Sequence, residues 1–416
     1  MKKNVWIFNH YATETFNNKG GRHFFFAKYL VENGFRVTIF CASTIHGSDE
    51  EIEIPNDFFD IKNIDGIDYV FIKTPKYSGN GKKRLFNMLS FYRKLLAFSR
   101  ISERYCEKPD IILASSVHPL ALVAGIKISR KFGVKCICEV RDLWPMTLVE
   151  IGALKNNSLI SKLLYLGEKE IYKKADALIF TMEGGKDYIL EKKWESKIVL
   201  SKIFHINNGI DLSEFERQSE LNKFYDEDLE NKSKFKVIYT GSIIETNAVD
   251  FIINSAKELM EYNMLFLIYG DGNKRKELEK KCKCENITNV IFKGKKEKKY
   301  IPFILKNADL NIMTGIYTKN LYKYGLSLNK MFEYIASGKP ILSNIECNYD
   351  LLKKYGCGLT VSGESYKKLK DGILLFYNMK REEIAEFSKN SAIASQDYDF
   401  KKLTQKLISV ITIYTK

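Results

Sequence analysis

The chain has 416 residues, of which 45% are hydrophobic and 28% are charged. These proportions are typical of globular proteins and exclude disordered and fibrous classes. The length exceeds one ordinary hydrophobic core and predicts two domains. The formal net charge of +15 suits an anionic partner such as a phosphorylated substrate, a membrane surface or nucleic acid. Many of the lysines equally fit solvated helix faces, so the charge alone does not choose among these partners.

Strand-like and helix-like patterns alternate along the whole chain, which is typical of parallel sheets flanked by helices. In the first half, strands are predicted at 5–8, 37–40, 69–72, 111–114, 136–140 and 177–180. In the second half, they are predicted at 236–239, 265–268, 290–292, 310–313 and 341–343. Two series of strands predict two sheets, and therefore two doubly wound α/β domains.

We place the domain boundaries at 1–206, 207–396 and 397–416, with the main hinge near Asn207. The segment 214–234 is charged and poor in large apolar residues, which favours a loop or a short exposed helix near the boundary. The last segment carries Phe400, Leu403, Leu407 and Val410 at helical spacing. We expect this C-terminal helix to cross back onto the first domain.

The start of the chain and its longest apolar stretch bear on localisation. The first residues run directly into a strand without a cleavage region, and the apolar stretch 111–128 is interrupted by Ser115, Ser116, His118 and Pro119. The eight cysteines form neither C-x-x-C pairs nor clusters with histidine, which indicates reduced thiols. We therefore expect a cytoplasmic protein that is not integral to a membrane.

Loops that directly follow strands are the places to search for a site, because ligands of open parallel sheets bind beyond the carboxyl ends of strands. The first such loop carries Gly20 and Gly21 before a predicted helix. Two glycines let the backbone approach a ligand, and the helix start offers free N–H groups to a phosphate. The alternative is an ordinary mobile loop.

The second region joins the segments 115–119 and 141–145, which follow two successive strands. His118 and Asp142 could orient a sugar hydroxyl or receive its proton. A single histidine is more often structural, whereas Asp142 directly follows an apolar strand and precedes Pro145.

The third region consists of the glycine turns Gly241-Ser242 and Gly270-Asp271-Gly272 in the second domain. As a dinucleotide signature the latter is weak, since it lacks a third glycine. A tight turn without a ligand is the alternative for both.

The fourth region, 327–340, is the most informative. Its apolar residues at i, i+3, i+4 and i+7 predict a short helix over 328–337, which Gly338 and Pro340 end before a strand. Asn329, Lys330 and Glu333 are left on the other side. A cation at a helix start suits a diphosphate, and a carboxylate one turn later can accept two hydrogen bonds from a ribose diol. The alternative is a surface Lys330–Glu333 pair worth a few tenths of a kcal/mol.

The pattern Glu333-x-x-x-x-Gly338-x-Pro340 before a strand resembles the hallmark of family 4 retaining glycosyltransferases. Further segments agree with that family in order and spacing: Gly20-Gly21, Arg141-Asp142-Leu143-Trp144-Pro145, Asn208-Gly209-Ile210-Asp211, Gly241, Gly270-x-Gly272, Gly294, Ala308-Asp309 and Gly356-Cys357-Gly358-Leu359. The resemblance implies the GT-B fold, in which two facing Rossmann-like domains enclose an interdomain cleft. The segment 141–145 is similar to the branch that builds bacterial surface polysaccharides such as capsule and O-antigen.

The resemblance also implies roles for individual residues. The second domain would bind the donor, with Glu333 on the ribose, Asn329 and Lys330 near the diphosphate, Gly241, Ser242 and Gly270 in the surrounding turns, and Gly294 with Lys295 along the base. Gly20 and Gly21 would touch the diphosphate from the first domain, where Asp142 and His118 would face the transferred sugar or the acceptor.

The sequence departs from the family pattern at two places. Gly325 stands where an earlier carboxylate is expected, and the segment 242–247 lacks the usual arginine and lysine. We therefore expect Lys330 to meet most of the diphosphate charge.

The expected reaction transfers a sugar, by resemblance an N-acetylhexosamine, from a UDP-linked donor with retained configuration and without a metal or other cofactor. The expected acceptor is a saccharide or a polyprenyl-diphosphate-linked saccharide. Basic and aromatic residues at 82–96 suggest peripheral contact with an anionic membrane, although the same segment could pack on the sheet. The alternatives are a UDP-sugar epimerase and a basic nucleic-acid-binding protein, for which no recognition motif is present.

Overall fold

The computed structural model describes residues 2–48, 50–77, 79, 81–116, 118–317, 320 and 322–415. The chain forms two compact units. Unit 1 comprises residues 1–207 and 400–416, and unit 2 comprises residues 208–399. Each unit is built around its own sheet, which confirms the predicted two-domain α/β fold.

Unit 1 contains an eight-stranded sheet. Its elements before the boundary are β1 (Asn4–Phe8), α1 (Thr13–Asn18), α2 (Arg22–Glu32), β2 (Arg36–Ala42), β3 (Phe59–Ile64), β4 (Ile67–Ile72), α3 (Lys82–Phe98), β5 (Ile111–Ser115), α4 (Pro119–Phe132), β6 (Lys135–Val140), α5 (Met146–Glu150), α6 (Leu159–Lys174), β7 (Ala177–Phe180), α7 (Gly185–Glu191) and β8 (Ile203–His205). The strand order is β3-β4-β2-β1-β5-β6-β7-β8. All neighbours pair in parallel except the β3–β4 hairpin.

Unit 2 contains a six-stranded parallel sheet in the order β11-β10-β9-β12-β13-β14. Its elements are α8 (Leu212–Leu221), α9 (Glu227–Glu230), β9 (Phe235–Thr240), α10 (Val249–Lys257), β10 (Met264–Tyr269), α11 (Arg275–Cys284), β11 (Val290–Gly294), α12 (Ile301–Lys306), β12 (Leu310–Met313), α13 (Asn329–Ala336), β13 (Ile341–Ser343), α14 (Leu351–Tyr355), β14 (Gly358–Thr360), α15 (Tyr366–Asn378) and α16 (Arg381–Asp397). This is the strand order of Rossmann domains.

The last helix, α17 (Phe400–Tyr414), belongs to unit 1. It packs against α2, where the Phe400 ring lies 5.2 Å from the ring of Phe25 and 5.5 Å from that of Phe26. Leu403 and Leu407 are fully covered by the same contact. The helical spacing in the sequence therefore corresponds to a buried apolar stripe on one face of the sheet of unit 1.

Every predicted strand is present, but β3, β8 and β14 were missed. β3 is a half-exposed edge strand rich in polar residues, and the other two have only three residues each. The charged segment after Asp211 forms two helices, because Asp211 caps α8 and Asp226 caps α9 with their side chains. Phe215 of α8 and Leu229 of α9 are buried in unit 2 and anchor the two helices there.

A buried carboxylate ties α2 to the sheet of unit 1. The Glu139 side chain, on β6, accepts hydrogen bonds from Arg22 (2.8 Å) and Ser115 (2.7 Å) and lies 2.9 Å from the His23 ring. Arg22 also donates to the carbonyl oxygens of Ile206 (2.9 Å) and Asn207 (2.6 Å). Burial opposes ionisation of Glu139, but Arg22 and His23 together hold its pKa well below the ordinary value. The network fixes the start of α2, and with it the Gly20–Gly21 loop.

Glu139→Gln should lower the free energy of unfolding by about 3–5 kcal/mol, because it leaves the buried Arg22 without its anion. Since the pKa of Glu139 is depressed in the folded state, its stabilisation exists above the unfolded pKa and is lost as pH falls through the folded pKa. Urea unfolding at several pH values should therefore show a weaker acid dependence in the variant.

The exposed pair Arg36–Glu107 provides the control, and Glu107→Gln should cost less than about 1 kcal/mol. Equal losses in the two variants would contradict a structural role for the Glu139 network.

Candidate active site

The two sheets each have one position where the strand order reverses direction. In unit 2 it lies between β9 and β12, and in unit 1 between β1 and β5. Ligands of open α/β sheets bind in the crevice at this position, beyond the carboxyl ends of the strands. The candidate residues are grouped around these two places.

In unit 2 the turns after β9, β10 and β11 are held against one another by backbone hydrogen bonds. The Gly241 N–H donates to the Tyr269 carbonyl (3.0 Å), and the Gly270 N–H donates to the Gly294 carbonyl (2.9 Å). A Cβ at position 270 would lie 1.8 Å from the Gly241 carbonyl oxygen. Gly270 is therefore required by the contact between two turns, whether or not a ligand is bound.

Lys330 reaches the Gly241 turn from the first turn of α13. Its ammonium lies 3.2 Å from the Tyr239 hydroxyl and 4.8 Å from the centre of that ring. A Cβ on Gly241 would come within 3.2 Å of the same ammonium. Within the described part of the chain no carboxylate lies within 4 Å of it, although the field of Glu333 favours its charge. Burial lowers the pKa of Lys330 to about 8.

Tyr334 fixes α13 against β9. Its hydroxyl accepts a hydrogen bond from the Thr240 N–H (2.9 Å) and donates one to the Thr240 carbonyl (3.2 Å). The ring is fully buried. These two bonds hold the helix so that Lys330, one turn earlier, lies beside Gly241.

The three polar residues of α13 differ in their surroundings. Asn329 is exposed and accepts a hydrogen bond from the side-chain amide of Asn208. Glu333 is only 8% exposed and is ion-paired with Lys298, whose side chain is 72% exposed. The alternative interpretation, a Lys330–Glu333 surface pair, therefore does not describe this helix.

Two other candidate residues of unit 2, Gly294 and Lys295, lie at the edge strand β11, whereas Ser242 follows the central strand β9. Gly294 ends β11 with a positive φ of 72°, near the Arg275 guanidinium, and Lys295 is exposed beside it. In the loop after Gly241, the Ser242 carbonyl accepts hydrogen bonds from Tyr239 (2.9 Å) and Asn247 (2.7 Å).

The structure also shows what stands at the two departures from the family pattern. Lys274 at the start of α11 lies 3.1 Å from Glu245, so a cation reaches the loop from another element. Gly325 has a positive φ of 111° and closes a turn with Tyr322. Nothing in the sequence pattern pointed to Lys274.

In unit 1 two buried histidines meet where the strand order reverses. His118 precedes α4, and its Nε2 lies 2.6 Å from Nδ1 of His10, which follows β1. Burial and Arg84 lower the pKa of His118 to about 3, and burial with His118 holds that of His10 well below its ordinary value. Both rings are therefore neutral at pH 7, and one of them donates its N–H to the unprotonated nitrogen of the other. Val117, within the segment 115–119, lies outside the described residues.

Asp142 lies at the carboxyl end of β6 and lines a cavity of about 120 Å³ with Ser116, Trp144, Leu163 and Glu168. The surrounding protein raises the pKa of the Asp142 carboxyl, although Arg141 and Arg84 act against this. No hydrogen bond joins Asp142 to His118 among the described residues.

Glu168 is a residue of this cavity that the sequence did not single out. It accepts hydrogen bonds from Tyr172 (2.8 Å) and Tyr188 (2.7 Å). Burial outweighs these bonds and raises its pKa to about 8. The signal for Glu168 in the sequence was a carboxylate within an otherwise apolar face of this helix.

Gly20 and Gly21 lie between α1 and α2. Gly21 precedes the first residue of α2 with a φ of 90° and is exposed, whereas Gly20 is half-buried. The buried Arg22 anchors this loop, and the first turn of α2 that follows Gly21 is itself buried. Neither among these residues nor elsewhere in the described ranges do three His, Cys, Asp or Glu side chains form a metal-binding group.

Two family models match the chain. Glycosyltransferase Family 4 matches residues 24–214, and Glycosyl transferases group 1 matches residues 222–393. The probable glycosyltransferase WbjE of Pseudomonas aeruginosa is 22% identical over 275 residues, which are 65% of this chain and 66% of that protein.

Solved structures of similar fold cover nearly the whole chain. Sucrose-phosphate synthase of Thermosynechococcus elongatus has a TM-score of 0.72 at 14% identity and covers 99% of both chains. HepE of Anabaena, solved in complex with UDP, has a TM-score of 0.70 at 14% identity, with 99% of this chain and 100% of its own covered. A glycosyltransferase of Rickettsia africae has a TM-score of 0.68 at 13% identity, covering 100% and 99%.

The family matches together with this fold identify the chain. It belongs to the family 4 glycosyltransferases and has the GT-B fold.

If Lys330 binds a diphosphate at the Gly241 turn, the dissociation constant for UDP should rise about tenfold between pH 7 and pH 9. The reason is that the lysine loses its charge as pH rises through its pKa of about 8, whereas the phosphate is already ionised above about pH 7. Calorimetric titration at each pH measures this.

Lys330→Arg is the matched control, because a guanidinium stays charged over this range and its UDP affinity should vary little. The same pH dependence in wild type and variant would exclude Lys330 as its source.

Proposed function

We propose that the protein transfers an N-acetylhexosamine from a UDP-linked donor to a saccharide or polyprenyl-diphosphate-linked acceptor in the synthesis of a bacterial surface polysaccharide. The observation that carries the proposal is the Lys330 ammonium, held beside the Gly241 turn where the strand order of unit 2 reverses. A partly buried lysine without a carboxylate partner among the described residues suits a diphosphate better than a neutral ligand.

The chemistry needed is stabilisation of a leaving nucleoside diphosphate. The bond between the anomeric carbon and the diphosphate oxygen breaks, and its electron pair goes to the phosphate. A preorganised donor in a dry site contributes about 3 kcal/mol to such a barrier. Lys330 takes this role in our proposal, with Asn329 beside it.

Glu333 is the proposed ribose ligand. Its carboxylate is buried and already ionically paired with Lys298, a side chain free to swing away because most of it is in solvent. A ribose diol would take the place of Lys298 and donate two hydrogen bonds to the same oxygens. Gly294 and Lys295 are the proposed edge of the base site. HepE, a structural neighbour, binds UDP, and one of its structures also contains glucose.

In unit 1 we assign His118 and Asp142 to the transferred sugar or the acceptor. A neutral imidazole whose pKa is about 3 is a poor proton acceptor, so His118 would orient a hydroxyl rather than deprotonate it. Asp142, whose pKa is raised, is the better proton acceptor of the two. We further propose retention of anomeric configuration by same-face attack, as the family resemblance implies.

Transfer requires an acceptor, whereas epimerisation does not, so product analysis by mass spectrometry separates the two activities. A panel of nucleotide sugars with and without a saccharide acceptor should give product only when both are present. Lys330→Ala and Glu333→Ala should lower kcat/KM by about 10²–10³, with unchanged melting temperature.

The matched control is Lys306→Ala, which should leave the kinetics unchanged. Lys306 lies on α12, away from this site, and pairs with Glu216. Conversion of the donor alone would support the epimerase, and full activity in both α13 variants would remove the site from the proposal. Oligonucleotide binding that falls with salt would favour the nucleic-acid alternative.

The proposed reaction uses no metal, because the Lys330 ammonium meets the diphosphate charge that Mg²⁺ meets elsewhere. Activity should therefore persist in excess EDTA and show no increase with added Mg²⁺. Loss of activity in EDTA, restored by Mg²⁺, would contradict this part of the proposal.

The proposed location is the cytoplasmic face of the cell membrane. None of the helices in the described ranges is both long and apolar enough to cross a bilayer. Only part of α3 packs on the sheet: Met88, Phe91 and Leu95 are buried, while Leu85 and Phe86 are exposed. The helix carries five basic and no acidic residues, which supports peripheral contact with anionic lipid.

A further inference from the structure

The helix α6 exposes the leucines of its first two turns to solvent, while two of its polar residues point inward. Ser161 and Glu168 face the protein and are buried. Leu159, Ile160, Leu163 and Leu166 are 75%, 62%, 58% and 60% exposed. With Leu164 they span an arc of about 160° over the first two turns, at 100° per residue. We call this set, together with exposed Ile151 in the preceding segment, the α6 surface.

Single exposed leucines are ordinary, but a contiguous apolar patch on one helix marks a binding surface. The orientation is held from within. Glu168 accepts a hydrogen bond from Tyr188 on α7, so rotating α6 to bury the leucines would break this bond and expose the Glu168 carboxyl. The outward leucines therefore belong to a fixed arrangement.

Lysines line the α6 surface. Lys162, Lys169 and Lys173 fall at adjoining angles along one edge of the apolar arc, and Lys155 precedes the helix. In the described ranges Lys155 and Lys162 have no carboxylate within 4 Å, and both are exposed. An apolar helix face beside a row of lysines fits the boundary between anionic headgroups and acyl chains.

The exposed residues of α3 lie in the same layer. α4 packs against both α3 and α6, and right-handed crossovers place all three on the face of the unit 1 sheet opposite α2. Both α3 and α6 follow the carboxyl ends of strands, and their exposed apolar residues lie in their first turns. Two basic, apolar helix starts therefore lie at the same edge of one layer.

A second copy of the chain fits this surface poorly. A two-fold contact would bring the same row of lysines against itself. A standard protein interface uses about 20–30 residues a side, whereas the α6 surface has six apolar members. An anionic bilayer neutralises the lysines and covers the leucines at once.

We propose that the α6 surface inserts into the headgroup and acyl boundary of an anionic membrane, as an interaction site additional to α3. Leu163 and Leu164 also line the cavity that contains Asp142, so the inserted face is continuous with the proposed acceptor site. A lipid-linked acceptor would then reach Asp142 along the membrane surface. This last step rests on the proposed function, whereas membrane insertion does not.

Flotation with vesicles of phosphatidylcholine, with and without phosphatidylglycerol, tests the proposal on the full chain. Wild type should float with the anionic vesicles at low salt. The variant with Leu159→Ser, Ile160→Ser and Leu166→Ser, which leaves the cavity lining intact, should bind them more than about tenfold more weakly. Because these side chains are already in solvent, the variant should keep its melting temperature.

The matched control replaces three apolar residues of unit 2 that are also more than half exposed, Leu221→Ser, Leu375→Ser and Ile393→Ser, and should float like wild type. Failure of wild type to float, or equal flotation of wild type and the α6 variant, would overturn the proposal. So would a change from dimer to monomer in sedimentation with flotation unaltered, since the surface would then join two copies.

The α6 variant should keep wild-type turnover of a water-soluble acceptor and lose it with a vesicle-embedded one. If neither protein transfers sugar but the flotation difference stands, the proposed reaction fails and the membrane surface is retained.

Discussion

Two hydrogen bonds between the Tyr334 hydroxyl and the backbone of Thr240 set the geometry of the unit 2 site. They join α13 to the end of β9, at the position where the sheet reverses its strand order. Lys330 lies beside Gly241 because the helix is held there, and its reduced pKa follows from the burial that results. Gly241 and Gly270 leave room for this approach, since side chains at either position would collide with the neighbouring turn or the ammonium.

In unit 1, charged side chains rather than a tyrosine hold a helix against the sheet. Glu139 is surrounded by Arg22, His23 and Ser115, and these contacts fix the start of α2 from inside the protein. Buried ion pairs of this kind add little net stability, because desolvation offsets attraction, but they specify one arrangement. The first turn of α2, which follows Gly21, is thus held rigidly. The same unit holds a second buried carboxylate, Glu168, which keeps α6 turned with its leucines toward solvent.

In both units, buried polar contacts therefore hold helices whose remaining side chains at the site are cationic or apolar. Lys330, Lys155 and Lys162 are lysines without a carboxylate within 4 Å in the described part of the chain, in a protein whose net charge is +15. In our proposals each of them meets an anion: a diphosphate in unit 2 and a lipid headgroup beside α6. The charge excess in the composition is thus concentrated in part at specific places, although most lysines lie on ordinary solvated faces.

The sequence alone determined most of the strands, the two-domain α/β class and the helix that carries Lys330 and Glu333, because apolar periodicity and glycine or proline stops are local properties. It could not show that Glu333 pairs with Lys298, that His10 meets His118, or that Glu139 and Glu168 are buried. These contacts join residues far apart in the chain, and their partners are known only once strand order is fixed. The orientation of α6 is the clearest case: its pattern allows either face to be buried, and the hydrogen bond from Tyr188 of α7 to Glu168 holds the Glu168 face inward.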